Sequence, residues 1–490
     1  MSDEKNKKPE VDSTIKPMHH SGHNPKSRRD FMAQGFLGMT AFALAPDLLM
    51  NSARAQTTGA CAAPAAAGLT PVIVIDLAGG GHIPGSNVMV GGPGGQMNFL
   101  QNYIPLGINA NEHPSIAGMI NQDMGLVFHS QSTMLAGIKQ IASMQTQQNM
   151  EGTIFATISN DDTGNNQHNP MYWLNKAGAR GTLNQLAGTS DSTSGGNSQA
   201  PAESVNPTIA PVRIASTNDA LNLVSLGNAL GTGTYTVAQR NAILDASSKI
   251  SNKKLDNIPR RSLPDAIKQI VSCGFSGTLD QVQKFDPSVV NNTLDAQLTT
   301  IFNRIPDAGI RNRAAPIVKL VLDGLIGAGT IVLGGYDYHN NTRTTGDDRD
   351  RELGQLIGAI VETAAAKQKD VVIYVVTDGG VGTDGSPDPT NGRPVWTGDN
   401  GERSSTIMMV YKKDGRPAMR SQKRQVGAFQ ANGAVNPTAM LTSNSVTNTA
   451  KAMVANYLAL HGLEGRLEQV VSDDPFRLQL DSYLMFDKLR

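Results

Sequence analysis

Residues 371–380, VVIYVVTDGG, carry the pattern that decides the fold. Six consecutive apolar residues, most of them β-branched, are typical of a strand that is buried on both faces of a sheet. The run ends in a threonine, an aspartate and two glycines, which favour a turn. Residues 71–77 (PVIVIDL) and 330–333 (TIVL) are similar runs, and each is also followed by glycines. We therefore expect three buried strands at these places.

An amphipathic helix precedes the strand at 371. Apolar residues at 353, 356, 357, 360, 361 and 364 recur at the spacing of one helical face, which predicts a helix over about 349–367. Other patterns predict helices at 113–120, 134–144, 237–249, 264–272, 293–305, 314–326 and 448–460, and strands at 125–129, 212–215 and 406–411. Because buried strands alternate with such helices, the sequence predicts an α/β fold with a mainly parallel sheet covered on both faces.

Acidic side chains stand at the carboxyl ends of these strands, where ligands bind in sheets of this kind. Asp76 lies near the end of the first strand, Asp337 and His339 follow the second, Asp378 follows the third, and Asp399 precedes the next. Converging carboxylates and an imidazole suit a divalent cation such as Zn²⁺, Mg²⁺, Mn²⁺ or Ca²⁺. An aspartate after a strand is also a common helix cap or turn residue. Only the shared placement at strand ends favours a metal site.

His168 is a further candidate, because it lies in a polar loop (NNQHNP, 165–170) ahead of a helical pattern. The loop could present His168 to a site, although an isolated histidine is more often a surface residue. The sequence has no Gly-x-Ser-x-Gly motif, so it does not support a serine hydrolase of that type.

The first 55 residues predict export from the cytoplasm. Residues 27–32 (SRRDFM) contain a twin-arginine motif, an interrupted apolar stretch follows at 36–49, and Ala53-Arg54-Ala55 is a suitable cleavage site. The apolar stretch is too short for a permanent membrane anchor, so no stable transmembrane segment is expected after cleavage. We therefore expect the twin-arginine translocase as a partner and a periplasmic or secreted location.

Charge and cysteine content restrict the partners further. The chain has 42 basic and 42 acidic residues, and loss of residues 1–55 removes eight basic and six acidic ones. A mature protein with this slight negative charge is not expected to bind nucleic acid. Cys61 and Cys273 could form a disulfide outside the cytoplasm, or remain two thiols.

The remaining sequence predicts one domain. Residues 56–70 are mostly small residues and are expected to form a flexible tether. Residues 181–206 are rich in Ser, Gly, Asn and Thr, and we interpret them as a polar surface insertion because a strand pattern resumes at 212. The expected organisation is therefore a signal peptide at 1–55, a tether at 56–70 and a single domain at 71–490.

Three of these motifs resemble those of a known family. The family is a group of twin-arginine-exported bacterial proteins, domain of unknown function 1501, which is similar to the alkaline phosphatase and sulfatase superfamily. Its Gly-Gly-Trp-Asp-Thr-His motif is similar to residues 334–339 (GGYDYH), and its two later motifs resemble 377–380 (TDGG) and 398–401 (GDNG). The resemblance covers most of residues 71–460, and only the first motif is specific.

The resemblance implies an alkaline-phosphatase-like α/β/α sandwich with a metal-dependent hydrolytic site. In that superfamily Asp and His residues bind two metals, and a Ser or Thr attacks a phosphate or sulfate ester. It therefore implies Asp337, His339, Asp378, Asp399 and Asp76 as ligands. Asn400 stands where the family has a metal-binding histidine and could bind calcium or magnesium through its side chain. Thr377 and Ser86 are the candidate nucleophiles.

Departures from the family motifs leave three functions open. Besides the missing histidine at position 400, Val381 replaces an arginine, and the aspartate that the family has near Gly81 is absent. The first hypothesis is a metal-dependent hydrolase of phosphate or sulfate esters. The second is a catalytically degenerate binding or structural protein of the cell envelope on the same fold. The third is an export-coupled assembly factor for cell-surface polymers.

Overall fold

A computed structural model describes residues 68–160, 164–183, 185–224, 236–257, 291–471 and 474–490. The expected signal peptide, most of the expected tether, Cys61, Cys273 and the helix expected at 264–272 lie outside these ranges.

The described ranges contain twelve strands, of which five have six or seven residues and seven have only two. Their bounds are β1 Val72–Leu77, β2 Ile120–Asn121, β3 Phe128–His129, β4 Met150–Ala156, β5 Ala187–Gly188, β6 Val212–Arg213, β7 Ala328–Leu333, β8 Val371–Thr377, β9 Val381–Gly382, β10 Gly398–Asp399, β11 Ser405–Tyr411 and β12 Gln425–Val426.

Eight of these strands form one sheet in the order β12-β4-β11-β8-β1-β7-β5-β6. Within the described ranges, β11 alone runs antiparallel to its neighbours β4 and β8. The other pairings are parallel. The prediction of an α/β fold with a mainly parallel sheet is therefore confirmed.

Helices cover both faces of the sheet. Their bounds are α1 Thr133–Ile141, α2 Met144–Gln148, α3 Met171–Ala177, α4 Thr217–Val224, α5 Val237–Asp256, α6 Ala296–Phe302, α7 Ala308–Leu322, α8 Thr344–Ala366, α9 Val446–Ala459, α10 Leu467–Val470, α11 Asp474–Arg477 and α12 Leu480–Tyr483. None of these helices is long and apolar enough to cross a membrane, among the residues that the structure describes.

Strand β1 lies at the centre of the sheet and contributes to two hydrophobic cores. Ile73 and Ile75 point into the core formed with α1, α7 and α8. Val72 and Val74 point into the opposite core, which α3 and α9 cover. Each fully buried aliphatic side chain of this kind contributes about 1.5–3 kcal/mol to the free energy of unfolding.

The carboxyl ends of the three central strands coincide. Leu77 at the end of β1 is paired with Leu333 of β7 on one side and with Thr377 of β8 on the other. The residues that follow these strands therefore emerge at one edge of the sheet. This edge carries most of the residues proposed above as ligands.

Two local predictions are corrected. Residues 113–120 do not form a helix; Gly118 has a left-handed backbone (φ 86°), and Ile120–Asn121 pairs with Phe128–His129 in a small hairpin. Strand β4 was not predicted, because Glu151 and Gly152 interrupt its apolar pattern. The structure buries Glu151 against Arg424, whose guanidinium donates to both carboxylate oxygens at 3.1 and 3.0 Å.

The polar segment 181–206 is also not a surface insertion throughout. Ala187–Gly188 forms β5 of the main sheet, and Ser194 and Ser198 are buried. Ser198 bonds in the interior to the buried carboxylate of Asp76 through both its amide and its hydroxyl.

Candidate metal site at the carboxyl edge of the sheet

The segment after β7 presents two candidate ligands to solvent. The hydrogen bond from the Tyr336 amide to the Ala78 carbonyl (3.1 Å) ties this segment to the one that follows β1. Side chains then alternate: Tyr336 and Tyr338 are buried, whereas Asp337 and His339 are accessible. The alternation is that of extended backbone, whose successive side chains point to opposite sides.

Asp337, His339 and Asp399 form a cluster that could hold a metal ion. The Nε2 atom of His339 lies 2.6 Å from Oδ1 of Asp337 and 3.5 Å from Oδ1 of Asp399. One donor atom from each side chain lies within 4.8 Å of the other two. The side chains of Asp337, His339 and Asp399 are 62%, 36% and 48% exposed, respectively, so that the cluster is open to solvent and to a ligand.

A small hairpin brings Asp399 to this edge. Asp399 is in β10, which pairs with β9 just after the glycines that follow β8. The Asn400 amide donates to the Gly380 carbonyl at 2.7 Å, which fixes the hairpin against the end of β8. The side chain of Asn400 lies beside Gly382.

The donor set fits a borderline divalent cation. Two ligand atoms bound to one ion at about 2.0–2.2 Å stand about 3–4 Å apart. The 3.5 Å between His339 and Asp399 lies in this range, whereas the 2.6 Å between His339 and Asp337 is a hydrogen-bond distance that would lengthen when a cation enters. An imidazole with two carboxylates suits Zn²⁺ or Mn²⁺ better than Ca²⁺ or Mg²⁺, which prefer oxygen ligands. Three protein ligands also leave coordination positions for water or substrate.

Asp76 is at the same edge but is committed to other partners. It is fully buried, and its Oδ2 accepts hydrogen bonds from the amides of Asn197 and Ser198, both at 2.8 Å. Its Oδ1 accepts from the hydroxyl of Ser198 at 2.9 Å. Burial raises the pKa of Asp76 to about 6, although these hydrogen bonds lower it. Three donors from the polar segment thus surround this carboxyl group.

Asp378 also accepts a hydrogen bond from Asn197. It is also buried, and its Oδ2 accepts from the Gly164 amide at 2.7 Å and from Nδ2 of Asn197 at 2.6 Å. Asn197 therefore links Asp76, through its backbone, to Asp378, through its side chain. The structure places these two carboxylates together through Asn197, and places Asp337, His339 and Asp399 in a separate cluster.

The two candidate nucleophiles are buried. The hydroxyl of Thr377 lies 3.2 Å from the Gly379 carbonyl and 3.4 Å from that of Gly81, to which it can donate. Ser86 is also buried, and its hydroxyl has no hydrogen-bond partner among the described residues. Within the described ranges, no hydrogen bond joins either hydroxyl to the cluster of Asp337, His339 and Asp399.

His168 lies on the face of the sheet rather than in the accessible cluster. It is fully buried, its Nε2 is 2.7 Å from the Thr406 hydroxyl, and its ring packs edge-on against Tyr374. Burial lowers the pKa of His168 to about 4, so that it remains neutral at physiological pH. It is a core histidine that helps to join β8 and β11.

Sequence reasoning did not find Asn197 and Ser198, the partners of the buried carboxylates. They come from a polar stretch without periodicity, more than 110 residues from either aspartate in the chain.

Comparisons with protein-family models, curated proteins and solved structures found no match to this chain. Function must therefore be inferred from the site itself.

Proposed function

We propose that this protein is an exported, metal-dependent hydrolase of phosphate or sulfate esters with an alkaline-phosphatase-like fold. The observation that carries the proposal is the accessible cluster of Asp337, His339 and Asp399, placed at the edge of the sheet where α/β proteins bind ligands. The twin-arginine motif at 27–32 and the GGYDYH motif at 334–339 support the location and the family.

Asp337, His339 and Asp399 are the residues that would hold the cation. When bound, a divalent cation lowers the pKa of a coordinated water and offsets the negative charge that develops on the ester oxygens. The chain would fix three ligands on two separate segments and leave the solvent side open for the substrate. Water, rather than a side chain, is the nucleophile in this proposal, because the hydroxyls of Thr377 and Ser86 are buried.

One cation per chain is proposed rather than two. The carboxylates of Asp76 and Asp378 already accept hydrogen bonds from Asn197, Ser198 and Gly164. These N–H groups supply the positive partial charge that buried carboxylates need. A cation bound to Asp76 or to Oδ2 of Asp378 would compete with these donors.

The hydrogen bonds to Asp76 and Asp378 also favour a second candidate, a non-catalytic binding or structural protein of the envelope. Carboxylates satisfied by hydrogen bonds and buried candidate nucleophiles are what a chain would retain if it had kept the fold and lost the chemistry. Such a protein could still bind a metal at the accessible cluster. Turnover of an ester is therefore the property that separates the two candidates.

The test is hydrolysis of aryl phosphate and aryl sulfate esters by the purified mature protein, loaded with Zn²⁺ or Mn²⁺. We expect activity that a chelator abolishes, that added metal restores, and that Asp337→Ala loses. Asp348→Ala is the matched control, because Asp348 is an acidic residue on α8 outside the cluster. Retention of metal without turnover of either ester would favour the non-catalytic protein.

A further inference from the structure

The buried tyrosines that flank Asp337 are both fastened to helix α8. The hydroxyl of Tyr336 donates to the Arg349 carbonyl at 2.7 Å, and that of Tyr338 donates to Oδ1 of Asp350 at 3.0 Å. Tyr338 lies between Asp337 and His339 in the chain, so its anchoring restrains the backbone from which both accessible side chains extend. Two hydrogen bonds thus connect the N-terminal part of α8 to the segment that carries Asp337 and His339.

The Tyr338 hydroxyl also joins this segment to the one after β1. It accepts a hydrogen bond from the backbone amide of His82 at 2.6 Å while it donates to Asp350. Both functions of the hydroxyl are used, and its surroundings are fully buried. A buried hydroxyl with two well-defined partners holds its ring in one orientation.

Asp350 in turn is anchored from a third direction. Its Oδ2 accepts from Nδ2 of Asn87 at 2.6 Å, and Asn87 also donates to the His82 carbonyl at 2.9 Å. Oδ1 of Asn87 accepts from the hydroxyl of Ser132, the N-cap residue of α1, at 2.8 Å. The network therefore connects α1, α8 and the segments that follow β1 and β7.

We propose that Tyr338 and Asp350 are positioning residues that hold Asp337 and His339 in the geometry that binds the cation. This inference rests on the proposed metal site. Residues that orient metal ligands without touching the metal typically change metal affinity by about 10–100-fold when they are replaced. Because Asp337 and His339 belong to one segment, the network would position both ligands together.

The test compares Tyr338→Phe with Tyr457→Phe in the full mature protein. Tyr457 is an equally buried tyrosine whose hydroxyl donates to the Thr70 carbonyl at 2.8 Å, on the opposite face of the sheet. Both variants lose one buried hydroxyl, so the thermal unfolding midpoint of each should fall. The discriminating measurement is the Kd for Zn²⁺, determined by titration against a competing chelator.

We expect Tyr338→Phe to bind Zn²⁺ about 10–100-fold more weakly than the wild type, and Tyr457→Phe to bind it with unchanged Kd. If Tyr338→Phe fails to fold, Asp350→Asn serves as the second variant. Its amide oxygen can still accept from Tyr338, but its nitrogen would face that of Asn87, and a weaker Kd is again expected.

Three results would overturn the inference in distinguishable ways. Equal Kd values for the wild type and Tyr338→Phe would remove the positioning role and leave the metal site intact. Equal losses in Tyr338→Phe and Tyr457→Phe would assign the effect to general destabilisation. No Zn²⁺ binding by the wild type would overturn the metal site itself, and with it the proposed function.

Discussion

Gly79 packs directly against Asp337: a β-carbon at position 79 would lie only 2.7 Å from the backbone nitrogen of Asp337. Gly79 also has a φ of 100°, a backbone conformation that residues other than glycine rarely adopt. The glycine therefore sets how closely the segment after β1 approaches the segment that carries two of the candidate ligands.

Replacing Gly79 with Ala should displace Asp337 and weaken Zn²⁺ binding by about tenfold or more, an effect typical of disturbed ligand support. Gly334→Ala is the matched control, because a β-carbon there meets no atom within 4 Å and the backbone is not left-handed. Calorimetric titration with Zn²⁺ would measure both. An unchanged Kd in Gly79→Ala would show that the close approach of Gly79 to Asp337 does not set the geometry of the metal site.

Removing either candidate nucleophile should leave hydrolysis almost intact. Thr377→Val and Ser86→Ala each delete a buried hydroxyl, and we expect kcat/KM for an aryl phosphate to change by no more than about threefold, less than about 1 kcal/mol in the barrier. Loss of a true covalent nucleophile costs about 10⁶-fold. A collapse of that size in either variant, with the fold intact by circular dichroism, would contradict attack by water.

Asn197→Ala should destabilise the fold and leave the metal in place. The variant loses the side-chain donor of Asp378, a buried carboxylate, so the free energy of unfolding should fall by about 1–3 kcal/mol. Asn121→Ala removes a similar amide-to-carboxylate bond, to Asp123, at the surface and should cost much less. Urea unfolding and metal analysis would test this. Loss of the metal in Asn197→Ala would tie Asp76 and Asp378 to cation binding.

The pKa of Asp76 predicts a pH dependence of stability. Burial raises this pKa from 3.8 to about 6, so the folded protein binds one more proton than the unfolded chain between these values. The stability that Asp76 contributes is therefore fully present below pH 3.8 and is lost as the pH rises through about 6. A shift of about two units corresponds to about 3 kcal/mol.

Asp76→Asn removes this titration and keeps the shape of the side chain. Relative to the wild type, the variant should gain about 3 kcal/mol in free energy of unfolding between pH 4 and pH 7. Urea unfolding of both proteins at several pH values gives the difference, in which the titration of His82 and His168 cancels. A difference that does not change with pH would show that Asp76 is not a raised-pKa carboxyl group.

The sheet could be predicted because its central strands are buried on both faces and so consist of continuous apolar residues. Strand β4 escaped prediction because a buried Glu151 interrupts its pattern, and only the distant Arg424 explains that residue. The opposite failure occurred at 113–120, where apolar spacing resembled a helix but Pro114 and Gly118 favour turns. The local pattern of apolar residues predicts which strands are buried, but it does not predict pairs formed by residues far apart in the chain.

The accessible cluster could be predicted for a similar reason. The carboxyl ends of parallel strands meet at one edge, which accounts for Asp337 and His339. Asp399 precedes β11 instead, and it reaches the same edge because β11 runs antiparallel to β8. The same rule could not separate them from Asp76 and Asp378. That distinction depends on Asn197, whose contacts are made only when the chain has folded.

The central claim is tested most directly by the metal content of the protein, purified from a strain with working twin-arginine export, beside an Asp337→Ala/His339→Ala variant. Elemental analysis should find close to one divalent cation per chain in the wild type and almost none in the variant, because the variant keeps only one of three ligands. A wild-type protein that carries no metal, or a variant that carries as much as the wild type, would contradict the proposed site.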